Sequence, residues 1–340
     1  MKHKPFFWFV LPSALAMLLF IFFPIVSVLV QSVHVDHEQV IKTVETCDLF
    51  CCKESTTVDQ GATAALRAER PLGQFAGLTT YADINHLAIN KVGENWQQSN
   101  SWREFGSQML NLPFYKAIGF TLTFTFIVTP LVIIFGFIIA VAVNAAVQKI
   151  RGPLIFFSLL PMMITPLVGA LILFWMVDAR GIIGATLQYL AGDPDLSVKA
   201  STPLTWIMLM VYGVWHAAPF AFIVYYAGLQ SVNQDTLEAA RVDGANRWLQ
   251  IRHVIIPHLL PLTTFIALMQ LMDNFRVFEP IVSFSAEAHA TSLSWAIFND
   301  LGGETRQLSS AAATSVLTII GVAILLSQVL VRTWREFDRK

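Results

Sequence analysis

The chain has 340 residues, of which 55% are hydrophobic and 13% are charged, and its formal net charge at pH 7 is −1. Such a composition excludes one or two ordinary soluble domains, and no nucleic-acid partner is expected. We therefore predict an all-α integral membrane protein.

Six apolar runs predict six membrane spans. A helix rises about 1.5 Å per residue, so roughly 20 mainly apolar residues cross the ~30 Å hydrocarbon core of a bilayer. The runs that are long enough cover residues 6–30, 117–147, 154–177, 204–230, 258–282 and 309–331. A lipid bilayer is therefore the first expected partner.

Lysine and arginine predict the orientation of these spans. They are concentrated near both chain ends and after the second and fourth spans, whereas the two opposite short loops, 178–203 and 283–308, carry only three. Because positive charge in short loops remains cytoplasmic, both termini and the 231–257 loop are expected in the cytoplasm. The first run is too long for the core of a signal peptide and is assigned as a span.

The first span, residues 1–30, is followed by an insert at 31–112 that is too polar to cross a membrane. Acidic residues outnumber basic ones there, and we expect a small periplasmic domain or an ordered loop. The rest of the chain is then a five-helix transmembrane core at 113–331 and a cytoplasmic tail at 332–340.

The three cysteines of the chain all lie in this insert, as Cys47, Cys51 and Cys52. In the oxidising compartment outside a bacterial inner membrane, a disulfide from Cys47 to Cys51 or Cys52 is one expectation, with one thiol left over. Free thiols are the alternative. Three thiols without a clear fourth ligand are a weak zinc signal, so no metal site is predicted.

Prolines interrupt the third span, and a polar segment follows it. Pro161 and Pro166 free backbone carbonyl groups and permit bends, which suits either a helix lining a pathway or a packing kink. Residues 178–192 have the pattern of a short amphipathic helix.

Polar residues in the fourth and fifth spans are candidate contacts for a transported molecule. His216 and Phe220 share one face of the fourth span because they are four residues apart. Ionisable groups at membrane depth must face a water-filled cavity or a partner. The fifth span contains Asp273, Asn274, Arg276 and Glu279. The alternative is structural: a satisfied histidine, and an acid–arginine cluster that holds helices together.

The loop between these two spans predicts a helix, a tight turn at Asp243-Gly244 and a second helix. Asn233 or Asp235 can cap the first helix, and Pro257 is expected to stop the second. The two helices are predicted over 236–242 and 245–254.

The first of these helices offers a surface that another protein can approach closely. Ala239, Ala240 and Gly244 have little or no side chain, and Glu238 presents an anion to an arginine or lysine of such a partner. The alternative is an amphipathic surface helix without a partner.

The spacing in this loop resembles that of a known family. The string EAARVDGANRW, followed by the prolines of IIPHLLP, resembles the EAA loop of the maltose-type ABC importer permeases, and the flanking GIIGATL is also similar to that family. The resemblance covers roughly residues 115–331. It implies a type I ABC importer permease fold with six transmembrane helices and an external insert between helices 1 and 2.

In that family the EAA loop, here 231–261, is a coupling helix that docks on a cytoplasmic ATPase. The resemblance therefore implies that the coupling residues are Glu238, Ala239, Ala240, Asp243 and Gly244. Sugar contacts in the family come from the helices on either side of the loop. The predicted substrate path is lined by His216, Phe220, Asp273, Asn274, Arg276, Val277 and Glu279.

The resemblance also implies the partners, which are a second homologous permease subunit, a dimer of cytoplasmic ATPases and a periplasmic substrate-binding protein. The chain contains no G-x-x-x-x-G-K-[ST] phosphate-binding loop, so ATP and magnesium are expected in the partner ATPase. No cofactor and no catalytic residue are expected in this subunit. The expected function is a transport subunit for a sugar or sugar derivative in the bacterial inner membrane.

The nature of the substrate stays open at this stage. Trp215 and Phe220 beside polar groups suit sugar rings, and Arg276 points to an anionic derivative unless neighbouring acids neutralise it. The loop SFSAEAHATSLSW and the long insert depart from the family pattern. Both are expected to face the binding protein.

Two other functional classes are alternatives. A secondary transporter would use Asp273, Arg276 and Glu279 as an ion or proton relay, but no inverted repeat or pair of broken helices is evident in the sequence. A membrane-embedded enzyme would need a metal-spaced His/Cys set or a nucleophile–base pair in the spans, and the sequence contains neither.

Overall fold

Long apolar helices dominate the computed structural model of the chain, which describes residues 3–35, 40–48, 51–70, 72–302 and 307–337. Within that part, six helical segments are long and apolar enough to cross a membrane. They are Trp8–Ser32, Pro113–Ala145, Pro166–Ala191, Thr202–Gln230, Arg247–Phe275 and Leu308–Ser327. The predicted fold, an all-α membrane protein with six transmembrane helices, is confirmed, although the third and fifth segments are displaced.

The chain folds into two units, one formed by residues 1–115 with 296–319 and the other by residues 116–295 with 320–340. The elements up to residue 112 are α1 (His3–Met17), α2 (Phe23–Ser32), β1 (His34–Val35), β2 (Ile41–Asp48), β3 (Cys51–Val58), α3 (Gln60–Glu69), β4 (Gln74–Phe75), α4 (Thr79–Ala82), α5 (Ile89–Gln98) and α6 (Trp102–Met109). The elements that follow are α7 (Pro113–Ala145), α8 (Gln148–Met163), α9 (Pro166–Val177), α10 (Ile182–Ala191), α11 (Thr202–Gln230), α12 (Gln234–Val242), α13 (Arg247–Gln250), α14 (Ile256–Phe275), α15 (Glu279–Ser283), α16 (Leu293–Gly302) and α17 (Leu308–Phe337).

The insert contains two small antiparallel sheets. β1 pairs with β4, and β2 pairs with β3 as a hairpin in which Cys47 lies opposite Cys52 and Asp48 opposite Cys51. The side chains of the three cysteines lie outside the described part of the structure. The disulfide, and the location of the insert outside the membrane, therefore stay predictions.

The predicted third span, 154–177, is wrong as a single helix. α8 ends at Met163, and Ile164 and Thr165 have extended backbone conformations before α9 begins at Pro166. The residue before a proline avoids the helical conformation, while proline itself fits the first position of a helix. The third membrane-length segment therefore begins at Pro166 and includes α10, which corresponds to the short helix predicted within 178–192.

The predicted fifth span, 258–282, is displaced toward the N-terminus. Pro257 does not stop the second loop helix, because α13 continues through a π turn at Ile251–Ile255 directly into α14. A proline lacks the N–H of a regular helical bond and its ring crowds the carbonyl group one turn earlier, and the wider π turn provides room for it. Residues 247–275 therefore form one continuous helical segment.

In the second unit, α7 and α11 approach each other closely at Gly136. A Cβ atom added at Gly136 would collide with the Cβ of Ala221 and lie 2.9 Å from the backbone nitrogen of Phe222. Ala221 and Phe222 are fully buried. Small residues at helix interfaces allow two backbones to approach in a membrane, and Gly136 has this role between α7 and α11.

Gly136→Ala is therefore expected to destabilise the fold by about 1–3 kcal/mol, the usual cost of overpacking a close contact. Gly152→Ala is the matched control, because no described atom lies within 4 Å of a Cβ added there. The midpoint of thermal unfolding of the two variants in detergent checks this expectation. Equal midpoints for both variants would contradict the close approach of α7 and α11.

Candidate functional site

The seven residues predicted to line a substrate path lie around one cavity of about 530 Å³ in the second unit. The cavity is bounded mainly by α11, α14 and the segment that follows α14, and its lining includes His216, Phe220, Asp273, Asn274, Arg276, Val277 and Glu279. Ligand cavities of several hundred Å³ are common in proteins. The cavity is large enough for a small solute, and the role of these residues in transport stays a prediction.

Side chains of α11 contact the break between α8 and α9. The Nε2 of His216 lies 3.2 Å from the carbonyl oxygen of Ile164, and the Tyr212 hydroxyl donates to the carbonyl oxygen of Pro166 at 2.7 Å. Because a carbonyl oxygen only accepts, Nε2 of His216 carries the proton in this hydrogen bond. His216 therefore has the structural contact that sequence reasoning gave as the alternative, and it lines the cavity as well.

Asp273, Arg276 and Glu279, which line the cavity, lie where α14 ends and not within a longer helix. α14 stops at Phe275 and α15 begins at Glu279, because Pro280 cannot donate to the carbonyl group of Arg276 and its ring would crowd that group. The predicted continuation of this helix to residue 282 is therefore wrong. Asp273 lies in the last turn of α14, Arg276 in the irregular segment after it and Glu279 at the start of α15.

The charge of Arg276 is already paired inside the chain. Its guanidinium donates to the Oδ1 of Asp273 at 2.8 Å, and both side chains are more than half exposed. No ion pair joins Glu279 to a cation among the described residues. The cavity-lining charges of this chain are thus one cation and two anions, which does not favour an anionic solute.

Two of the predicted path residues also connect helices. The buried Nδ2 of Asn274 donates to the Oγ1 of Thr129 on α7 at 3.0 Å, and the carbonyl oxygen of Val277 accepts from the Ser292 hydroxyl at 2.6 Å. A buried hydrogen bond that loses one partner leaves the other unsatisfied. Asn274 and Val277 therefore hold the cavity wall in place.

Sequence reasoning missed Gln270, which also lines the cavity. It is 3% exposed, and its Oε1 is buried without a hydrogen-bond partner among the described residues. Residues 270, 273, 274 and 277 share one face at helical spacing, which is the signal that identifies it. Tyr212 was missed in the same way, one turn before His216.

Trp215, whose ring suits a sugar as that of Phe220 does, is not among the residues that line this cavity. Trp215 is 45% exposed and borders a separate apolar groove with Phe157 and Pro219. Adjacent positions on a helix point about 100° apart, so Trp215 faces away from the cavity that His216 lines. Phe220 is one turn after His216 and faces the cavity.

The loop that connects α11 to α14 begins with a capped helix. The Asn233 side chain accepts from the backbone N–H of Asp235 at 2.9 Å, so Asn233 is the cap and α12 starts at Gln234. Gly244 has a φ of 80°, and the N–H groups of Gly244 and Ala245 donate to the carbonyl groups of Arg241 and Ala240. This pattern is a Schellman turn, which ends a helix at a glycine.

The five predicted coupling residues lie on α12 and in the turn that follows it. Glu238, Ala239, Asp243 and Gly244 are exposed, and Ala240 is partly exposed. Val242 on the same short helix is 88% exposed. No ion pair involves Glu238 within the described residues, so its charge is available to a cation of another protein.

Groups of three or more His, Cys, Asp or Glu side chains placed to hold a metal ion were not found in the described part of the chain. The predictions that this subunit has no metal site, no cofactor and no catalytic residue rest on the sequence and stay predictions.

Comparison with known proteins relates this architecture to a family of transport proteins. Residues 132–335 match the family described as binding-protein-dependent transport system inner membrane component. A probable ABC transporter permease protein of Sinorhizobium fredii, y4oQ, is 26% identical over 229 residues, which cover 66% of this chain and 72% of that protein. The maltodextrin transport system permease protein MdxF of Bacillus subtilis is 27% identical over 273 residues, which cover 74% of this chain and 62% of that protein.

A solved structure has the same fold. A chain of a bacterial ABC transporter involved in the import of the acidic polysaccharide alginate matches with a TM-score of 0.60 and 20% sequence identity, over 80% of this chain and 95% of that one. At this identity the likeness concerns the fold alone.

Proposed function

The chain belongs to the family of binding-protein-dependent transport system inner membrane components, and from this membership we propose that it is a permease subunit of an ATP-driven importer for a sugar or sugar derivative. A binding protein outside the membrane delivers the substrate, and a second, homologous permease subunit completes the pathway. A dimer of cytoplasmic ATPases binds ATP and magnesium and supplies the energy.

One observation carries the proposal: the coupling loop and the cavity are joined by a single helical segment. Residues Arg247–Phe275 form 29 residues of uninterrupted helix, about 40 Å at 1.5 Å per residue. Its first turn follows the Schellman turn of α12, and its last turns carry Gln270, Asp273 and Asn274 at the cavity. A displacement of α12 passes through the short turn at 243–246 to one helix that reaches the cavity wall.

The mechanism follows from that connection. When the ATPases close on ATP, they pull the coupling loops of the two permease subunits together, and the cavity opens outward; hydrolysis returns it inward. A ligand shifts such an equilibrium only through contacts that differ between the two states. ATP acts through α12, and the loaded binding protein acts on the outer side.

The cavity favours a neutral, hydroxyl-rich substrate. Glu279 offers oxygen atoms that accept hydrogen bonds from hydroxyl groups, and the Phe220 ring offers an apolar face. The charge of Arg276 is offset by Asp273, and Glu279 adds a second anion, so the lining does not favour an anionic derivative. The relative named for maltodextrin transport supports the same substrate class.

The location of the chain in the inner membrane follows from its family and its six apolar helices. The charge distribution supports the further proposal that both termini and α12 face the cytoplasm, with residues 31–112 on the outer side. A cytoplasmic position of α12 is required for it to reach an ATPase.

Uptake by proteoliposomes containing the complete transporter tests the proposal. Accumulation of radiolabelled maltodextrin is expected to require the binding protein and ATP on the ATPase side, to stop with vanadate, and to continue when a protonophore collapses the ion gradient. A secondary transporter that uses Asp273, Arg276 and Glu279 as a relay would give the opposite pattern. That pattern would overturn the ATP-driven mechanism.

A further inference from the structure

In the first unit, α4 and the turn after it are hydrogen-bonded to the ends of membrane-length helices. The Tyr81 hydroxyl donates at 2.6 Å to the Oγ of Ser32, the last residue of the first membrane-length segment. The Tyr115 hydroxyl, in the first turn of α7, donates to the carbonyl oxygen of Leu87 at 2.9 Å. Because the ends of membrane-spanning helices lie in the interfacial region of a bilayer, the residues that lead into α5 lie at that level.

A third membrane-length helix and the end of α6 give the same position. The Nε2 of His86 lies 3.1 Å from the carbonyl oxygen of Ser310, in the first turn of α17. The N–H of Leu112 donates to the carbonyl oxygen of Met109, the last residue of α6, and α7 begins at the next residue, Pro113. Both ends of the α5–α6 pair, which covers residues 89–109, are therefore held at the start of a membrane-length helix.

An aromatic cluster joins α5 to α6. The ring centroid of Trp96 lies 5.0 Å from that of Trp102 and 5.3 Å from that of Phe105, and both contacts are edge-to-face. On each helix the apolar residues recur at i, i+3 and i+7, which places them on one face. They are Ile89, Val92 and Trp96 on α5, and Trp102, Phe105 and Met109 on α6. The α5–α6 pair is therefore amphipathic.

Much of this apolar surface is exposed. Trp96 is 54% exposed and Trp102 is 77% exposed, and Ile89 and Leu110 are also more than half exposed. Single exposed apolar residues are common, but a group of large ones marks a surface that contacts another protein or a membrane.

The chemistry of the surface favours a membrane. Tryptophan is enriched where a bilayer meets water, because its ring is largely apolar while its N–H needs a polar partner. Arg103 follows Trp102, is exposed and forms no ion pair within the described residues, so its guanidinium can pair with a lipid phosphate. An aromatic face bordered by a cation is typical of helices that lie in the interface.

We infer that the α5–α6 pair lies in the headgroup region of the bilayer, with Trp96 and Trp102 among the phospholipids of the leaflet in which α7 begins. This part of the insert therefore contacts lipid and not a binding protein. The inference does not depend on what the protein transports.

Photo-crosslinking of the full-length chain tests the inference, in nanodiscs of phosphatidylcholine and phosphatidylglycerol. The photoreactive residue p-benzoylphenylalanine replaces Trp96 in one variant and Gln98 in the control. Both positions are exposed, and they point about 200° apart on α5. Mass spectrometry is expected to find roughly fivefold more phospholipid adduct at Trp96, because the opposite face of an interfacial helix points to water. Equal yields, or no adduct at Trp96, overturn the inference.

Irradiation of the same two variants in intact cells separates a lipid surface from a protein partner. A phospholipid adduct is again expected at Trp96. An adduct with another protein in its place would make this face a protein-docking surface and overturn the inference.

Tryptophan emission provides a second measurement with conservative substitutions. The double variant Trp96→Phe, Trp102→Phe keeps an aromatic ring at both positions, and the emission that it loses relative to the parent chain belongs to these two residues. That difference is expected to fall by about half when brominated phosphatidylcholine, whose bromine atoms quench tryptophan on contact, replaces the ordinary lipid. A difference that the brominated lipid leaves unchanged overturns the inference.

Discussion

Replacing Glu238 with lysine is expected to abolish ATP-driven uptake while the chain still folds and inserts. Glu238 is exposed on α12 and has no ion pair within the described residues, so its substitution removes no contact of the fold. At the proposed interface with the ATPase, a lysine would face a cation, and such a like-charge contact costs several kcal/mol. A cost of about 3 kcal/mol weakens docking roughly 100-fold.

The variant is measured in proteoliposomes with its partners, by uptake and by substrate-stimulated ATP hydrolysis. Asp235→Lys is the matched control, since Asp235 is exposed on the same helix, one turn earlier, and the change in charge is identical. The control is expected to retain most of the activity. If both variants lose activity equally, the interface responds to net charge only; if Glu238→Lys transports normally, the coupling role is wrong.

The membrane-crossing helices could be predicted from the sequence because apolar length is a local property of the chain. The positions at which those helices break could not be predicted in this way. Pro130, Pro219 and Pro261 lie inside α7, α11 and α14, whereas Pro166 and Pro280 follow breaks. The same residue type has both outcomes because the neighbouring helices decide whether a freed carbonyl group finds a partner.

Beside Pro166, Tyr212 and His216 form hydrogen bonds to the backbone carbonyl groups. These side chains reach the break only because α11 lies next to it. Nothing in the local sequence at 160–166 contains that information. The turn at Gly244 is the opposite case. There the capping residue, the glycine and the helix ends are all within a dozen residues, and the structure agrees with the local prediction.

Most of the cavity residues could be predicted because helical spacing is also a local property of the sequence. α14 packs against α11, so positions at helical spacing on the facing surfaces, such as 216 and 220 or 273 and 277, converge. The aromatic character of Trp215 suits a sugar ring, but its position on α11 places it at a separate groove. Gln270 was missed because an uncharged amide in an apolar run is a weak signal, although it shares the face of Asp273.

Gln270→Leu is expected to impair transport without destabilising the protein. The buried Oε1 of Gln270 has no partner in the described chain, so its replacement by an apolar side chain of similar size removes an unsatisfied group. The oxygen is closed to the cavity in this structure, and we expect the helix movements of the transport cycle to open it to a substrate hydroxyl. Such a hydrogen bond contributes about 0.5–1.5 kcal/mol net, which corresponds to an increase of roughly twofold to tenfold in the KM for uptake. The thermal midpoint is expected to be equal or higher.

Asn274→Leu provides the contrast on the same face of α14. Its Nδ2 donates to the buried Oγ1 of Thr129, and removing one partner of a buried hydrogen bond costs about 1–3 kcal/mol. This variant should therefore have a lower thermal midpoint than Gln270→Leu. Uptake kinetics and unfolding measured on both variants separate the two roles: if Gln270→Leu unfolds at a lower temperature and keeps its KM, Gln270 is structural and does not contact the substrate.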